Sequence, residues 1–113
     1  MAVDDSTDAA EMLAAMMELQ GHVTRITHNG RDALRIAQEF HPEAAFLDIG
    51  MPDMNGYETA AAVRKIAGFE RMTLIALTGW GDESDRARSK YAGFDFHLTK
   101  PADLSAIEGL LGQ

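Results

Sequence analysis

The sequence has no cysteine and no long hydrophobic run among its 113 residues. Without cysteine the chain can form neither disulfides nor thiolate metal sites, so it is suited to a reducing compartment. No apolar run approaches the ~18–20 residues of a membrane-spanning helix, and the first residues lack the basic and apolar regions of a signal peptide. The sequence therefore predicts a cytoplasmic protein that does not insert into a membrane.

Basic side chains are also scarce, because 10 lysines and arginines stand against 18 acidic residues and the formal net charge is −8. This balance argues against a nucleic-acid-binding surface, which needs a basic stripe. It leaves room for a small acidic site that holds a cation. The length is suited to one domain, and we expect residues 1–113 to form it.

Apolar runs alternate with turn residues along the whole chain, and this pattern predicts five strands and five helices. The strands are expected at residues 1–3, 23–27, 44–48, 73–78 and 94–98, and the helices at 8–20, 31–40, 57–66, 82–92 and 103–111. The alternation of strand and helix predicts an α/β fold with a doubly wound, five-stranded parallel sheet flanked by five helices.

Polar side chains stand at the carboxyl ends of four predicted strands. They are Asp4 and Asp5 after the first strand, Asp48 on the third, Thr78 on the fourth and Lys100 after the fifth. Because the carboxyl ends of parallel strands meet at one edge of an open α/β sheet, these side chains should converge. Three neighbouring carboxylates repel one another, and a hard divalent cation such as Mg²⁺ removes that repulsion.

Such a site is suited to phosphoryl chemistry. Three aspartates and one lysine sum to a charge of −2, which one Mg²⁺ would neutralise. A carboxylate can act as a nucleophile toward phosphorus, while a metal, a lysine and a hydroxyl group hold the oxygens of the transferring group. The sequence therefore predicts an acidic site for a cation and a phosphoryl group around Asp48.

Four separated motifs make the chain recognisable. They are Val3-Asp4-Asp5, the run from Leu47 to Gly56 (Leu-Asp-Ile-Gly-Met-Pro-Asp-Met-Asn-Gly), Ala76-Leu77-Thr78-Gly79, and Thr99-Lys100-Pro101. In this order and spacing the sequence resembles the receiver domain of bacterial two-component response regulators over its whole length. The resemblance implies a flavodoxin-like sheet with strand order 2-1-3-4-5.

The resemblance also implies a role for each strand-end residue. Asp48 is similar to the family's phosphoryl acceptor. Asp5, Asp48 and the backbone carbonyl of Gly50 look like Mg²⁺ ligands, and Asp4 looks like the residue that holds the metal through water. Thr78 and Lys100 resemble the pair that contacts the phosphoryl group.

Two further features of the family fall on the last predicted strand and the residues after it. The family has a cis peptide bond that would lie at Lys100-Pro101, and proline makes this bond accessible. The family's aromatic switch position is matched by His97, where tyrosine or phenylalanine is more usual. We expect the switch to act together with Thr78 and to be transmitted through the helix at 82–92, where amide-exchange protection should change on phosphorylation.

The resemblance implies that the donor is a phosphohistidine on a histidine kinase or phosphotransfer domain, and that an output domain or a homodimer responds. Neither a nucleic acid nor a membrane is an expected direct partner. The segment from Asp48 to Pro52 and His97 are similar to receivers attached to hybrid sensor kinases. The first strand and the last helix are short for the family, which leaves two alternatives open: a trimmed chain, or a domain excised from a larger protein.

The first predicted helix offers both core and docking surface. We expect an inward stripe formed by Met12, Leu13, Met16 and Met17. We assign its surplus alanine and methionine surface beside Asp5 to partner docking, so that bulky or charge-reversing changes at Ala10 or Ala14 should slow transfer from the kinase.

Three other functions are alternatives to that of a receiver domain. An aspartyl-phosphate phosphatase would need a second aspartate at position 50, which is Gly50. A flavin or nucleotide site would need a glycine-rich or hydroxyl-rich cradle after the first strand, where Asp4 and Asp5 stand instead. A pseudo-receiver that acts only as an interaction module would not need the complete set of acceptor, acidic pair, threonine and lysine.

Overall fold

The computed structural model describes residues 1–51, 54–66, 68–78, 92–99 and 104–111. Its strands are β1 (Ala2–Val3), β2 (Ile26–Thr27), β3 (Ala44–Asp48), β4 (Thr73–Thr78) and β5 (Phe96–Thr99). All pair in parallel in the order β2-β1-β3-β4-β5, which confirms the predicted topology.

Four helices lie in the described ranges: α1 (Thr7–Leu19), α2 (Gly30–Phe40), α3 (Gly56–Arg64) and α4 (Leu104–Leu111). The first three begin at polar N-cap residues whose side chains accept a backbone N–H, namely Ser6, Asn29 and Asn55. At α3 the cap is a full capping box, because Glu58 also accepts the Asn55 N–H. The predicted helix at 82–92 lies outside the described residues apart from Ala92.

The sheet separates two hydrophobic cores because neighbouring residues of a strand point to opposite faces. The first core contains Val3, Leu47 and Ala76 and is covered by α2 and α3 through Ala33, Ala37, Ala60 and Val63. The second core contains Ala2, Phe46 and Ile75 and is covered by α1 and α4 through Leu13, Met17 and Ile107. Helices on both faces confirm the doubly wound arrangement.

The predicted inward face of α1 was wrong in part. Met12 is 57% exposed, whereas Ala10 and Ala14 are buried with Leu13 and Met17. The buried positions follow an i, i+3, i+4, i+7 stripe, which turns Met12 toward solvent. Substitutions at Ala10 or Ala14 would therefore disturb the core, and these two residues cannot serve as the docking surface.

Three strands differ in length from the prediction. β1 begins at Ala2 rather than Met1. β2 begins at Ile26 rather than Val23, because Ile26 is the residue paired with Ala2, where β1 begins. β5 runs from Phe96 to Thr99 rather than from 94 to 98. The chain bends at Asp95, whose carboxylate accepts the Leu74 N–H while its own N–H donates to the Leu74 carbonyl.

Within the described ranges no helix combines the length and the apolar content needed to cross a membrane.

Candidate functional site

An acidic cluster forms where β1 and β3 end side by side. Val3 pairs with Leu47, so Asp4 after β1 and Asp48 at the end of β3 lie side by side at the same edge of the sheet. Asp4, Asp5 and Asp48 each place an oxygen within 4.8 Å of the others. This juxtaposition confirms the convergence predicted from the sequence and provides the oxygen ligands that Mg²⁺ prefers.

Two of these carboxylates are deeply buried and are oriented by local hydrogen bonds. Asp4 is 1% exposed and Asp48 is 6% exposed, whereas Asp5 is open to solvent. The Gly50 N–H donates to Asp48 Oδ1 at 2.9 Å, and the Ser6 N–H donates to Asp4 Oδ1 at the same distance. The cluster is thus built from two fixed carboxylates and one that solvent can reach.

The start of α3 lies directly behind the end of β3, and a glycine makes this close approach possible. Gly56, the first residue of α3, lies so close to the end of β3 that a Cβ there would stand 2.6 Å from Ile49 Cα and 2.7 Å from the Asp48 carbonyl oxygen. A side chain at position 56 would push the start of α3 away from Asp48. The position of Asp48 therefore depends on a helix that begins directly behind it.

Thr78 stands at the end of the neighbouring strand. Asp48 pairs with Leu77, so Thr78 lies one residue further toward the same edge of the sheet. Its side chain is buried, and Oγ1 donates to the Leu98 carbonyl oxygen of β5 at 3.3 Å. The hydroxyl group is thus held by β5 beside the acidic cluster.

The remaining sequence-predicted residues belong to β5 and the segment after it. His97 is partly buried and pairs with Ala76 on β4. β5 ends at Thr99, and Lys100 and Pro101, with the expected cis peptide bond between them, lie outside the described residues.

One contact of the site was missed from the sequence. His28, an exposed residue, places Nδ1 3.0 Å from the backbone carbonyl oxygen of Asp4. No spacing rule could have found it, because the partner is a main-chain atom 24 residues away.

A parallel sheet of this strand order, with an acidic cluster at the ends of β1 and β3 and a threonine on β4, defines a receiver-type signalling domain. The sequence profile of the response regulator receiver domain matches residues 1–111, and the chain belongs to this family. Receiver domains are signalling modules rather than metabolic enzymes, and they generally bind Mg²⁺ at an acidic pocket. They interact with histidine kinases or phosphotransfer partners and with output domains.

Three comparisons illustrate the similarity. Protein PilH of Pseudomonas aeruginosa PAO1 is 34% identical over 101 residues, which cover 89% of this chain and 84% of PilH. The chemotaxis protein CheY4 of Vibrio cholerae superposes with a TM-score of 0.92 at 27% identity, covering 98% of this chain and 92% of CheY4. The receiver domain of a sensor histidine kinase from P. aeruginosa PAO1 was solved with magnesium coordinated in its active-site cleft. It has a TM-score of 0.87 at 25% identity, and the match covers 97% of this chain and 90% of that domain.

Proposed function

We propose that this domain accepts a phosphoryl group from a phosphohistidine onto Asp48 in a Mg²⁺-dependent reaction and changes conformation for a downstream partner. The observation that carries the proposal is the approach of three carboxylates to within 4.8 Å of one another at the end of a buried strand. Like charges this close are stabilised by a divalent cation. The magnesium described in the similar kinase receiver supports the same assignment.

The residues divide into a nucleophile and its supports. An Asp48 oxygen attacks phosphorus, a new O–P bond forms, the P–N bond to the donor imidazole breaks, and its electron pair leaves with the imidazole nitrogen. Asp5, Asp48 and the Gly50 carbonyl would hold the cation directly, and Asp4 would hold it through water. When bound, the cation neutralises charge that develops on the phosphoryl oxygens.

Thr78 and Lys100 complete the proposed site by contacting phosphoryl oxygens. The Thr78 hydroxyl donates to the Leu98 carbonyl in the present structure, so donation to a phosphoryl oxygen requires that it rotate away from β5. This exchange of hydrogen-bond partners links phosphorylation to the strand that carries His97. We therefore assign Thr78 and His97 to the conformational switch.

Incubation of the protein with Mg²⁺ and a small acyl phosphate tests the proposal. We expect covalent phosphate that hydroxylamine releases, because an aspartyl phosphate is an acyl phosphate, and we expect none when EDTA removes the cation. Absence of uptake with Mg²⁺ present would overturn the proposal and favour the pseudo-receiver that acts only as an interaction module.

The exposed side of α1 is the proposed docking surface for the phosphohistidine-bearing partner. Met12 and Leu19 are 57% and 79% exposed, and Ala15 lies between them and is also exposed. Spacings of three and four residues place all three on one side of the helix. This apolar stripe replaces Ala10 and Ala14 in the docking hypothesis.

Charged substitutions on this stripe should separate docking from chemistry. In Met12→Glu and Ala15→Glu variants we expect transfer from a histidine kinase to slow by about 10-fold or more, since a buried unpaired charge weakens an interface. Uptake from a small phosphodonor should be unchanged. Gln38→Glu on the exposed side of α2 is the matched control, and equal slowing of both reactions in the α1 variants would contradict the docking assignment.

A further inference from the structure

His28 follows β2 and lies against the main chain of the acidic pair. Its Nδ1 is 3.0 Å from the Asp4 carbonyl oxygen. Because a carbonyl oxygen can only accept, the ring must carry its proton on Nδ1 and donate. The side chain of His28 itself is exposed, so this bond is the structural reason for the ring's orientation.

The bond fixes the peptide group that joins Asp4 to Asp5. A peptide group is planar, so holding its oxygen holds the orientation of the plane between the two Cα atoms. The preceding peptide group is also held by β2, since the Asp4 N–H donates to the Thr27 carbonyl at 3.1 Å. Both peptide groups of Asp4 are therefore anchored to the end of β2.

His28 is also held in place by the start of α2. Asn29 directly follows His28 and caps α2, with Oδ1 accepting the Asp32 N–H at 2.8 Å. His28 is thus fixed between the end of a strand and the start of a helix. Since Asp4 is only 1% exposed, water cannot readily replace a donor that is lost from its carbonyl oxygen.

We propose that His28 is a positioning residue that orients Asp4 and Asp5 toward the cation through the peptide group between them. The role rests on the proposed function, because it presumes that the acidic cluster holds Mg²⁺. His28 does not itself contact the cation in this assignment. It forms a hydrogen bond with the backbone of the residues that would bind the cation. Loss of such supporting hydrogen bonds typically weakens metal binding by about 10–100-fold.

Three variants test this role by Mg²⁺ titration calorimetry. His28→Phe keeps a flat ring without a donor and should weaken Mg²⁺ binding by about 10-fold. His28→Asn keeps an N–H at the δ position and should restore most of the affinity. His22→Phe, at another exposed histidine, is the matched control and should bind like the wild type.

A second measurement needs no metal. In alkaline buffer, where imidazole is neutral, ¹⁵N NMR of the metal-free protein should show His28 protonated on Nδ1. His28 protonated on Nε2, or a His28→Phe variant that binds Mg²⁺ as tightly as the wild type, overturns the role. Urea unfolding without Mg²⁺ should show that His28→Asn and His28→Phe are both fully folded in the titration buffer, so that a difference in affinity between them cannot come from unfolding.

The results that would overturn the proposed function differ from those that would overturn the role of His28. If the wild type takes up phosphate and binds Mg²⁺ while His28→Phe binds it equally well, only the role of His28 is overturned. If the wild type binds no Mg²⁺ at all, the cation site and the role of His28 are both overturned.

Discussion

An Asp48→Asn variant should keep the fold and lose phosphoryl uptake down to the background of the assay. An amide is not an anionic nucleophile, so the O–P bond cannot form at this position. The substitution is nearly isosteric, and the amide oxygen can still accept the Gly50 N–H that Asp48 Oδ1 accepts at 2.9 Å. Removing one of three neighbouring negative charges also relieves repulsion, so the thermal unfolding midpoint without Mg²⁺ should not fall.

Variants of two further aspartates distinguish the loss of the nucleophile from the loss of a ligand to the cation. Asp5→Asn retains Asp48 but loses a proposed ligand, so uptake should persist and require more Mg²⁺. Asp32→Asn changes an exposed aspartate in the first turn of α2 and should label like the wild type. Label that survives in Asp48→Asn at wild-type level would refute the assignment of the acceptor.

An Arg64→Met variant should lose about 3 kcal/mol of unfolding free energy, because its guanidinium joins three segments of the chain. Nε and Nη2 donate to the Gly93 carbonyl at 3.0 and 2.7 Å, and Nη1 donates to the Met72 carbonyl at 2.6 Å. Nη2 also lies 2.8 Å from Asp95 Oδ2, the oxygen that accepts the Leu74 N–H. Without Arg64 the Gly93 and Met72 carbonyl oxygens lose these donors. Water cannot easily replace them, because the Arg64 side chain is only 18% exposed.

Urea denaturation with two comparison variants measures this effect. Arg64→Lys should recover little stability, since one ammonium group cannot reproduce the planar fork that reaches several carbonyls. Arg35→Met is the matched control, because Arg35 is 60% exposed and its ion pairs with Asp32 and Glu39 are 3.7 and 3.9 Å long. The Arg35→Met control should change the free energy of unfolding by no more than about 0.5 kcal/mol. An equally small loss for Arg64→Met would contradict the stabilising role of Arg64.

The sequence predicts the centre of the sheet better than its edges. β4 was predicted without error at 73–78, and β3 ends at Asp48 as expected, because both are continuous apolar runs closed by polar residues. β2 and β5 were misplaced by one to three residues. Their lengths depend on which residues of the neighbouring strand are available to pair, and a local pattern does not contain that information.

The same distinction applies to the site. Asp4, Asp5, Asp48 and Thr78 could be placed at one edge because topology alone brings strand ends together. His28 and Arg64 could not be found, since most of their contacts are to main-chain oxygens far away along the chain, which no side-chain pattern indicates. Met12 was misassigned because methionine is common in cores, and only the helix phase set by Leu13 and Met17 turns it outward.

The sheet that separates the two cores also separates two sets of evolutionary constraints. The second core lies beneath α1, which bears the proposed docking stripe, whereas the first core supports α3, which begins behind Asp48. Substitutions on opposite sides of the sheet share few contacts, and their effects on stability should therefore add. Substitutions that alter the proposed docking surface on α1 should therefore leave the packing around Asp48, the proposed phosphoryl acceptor, unchanged.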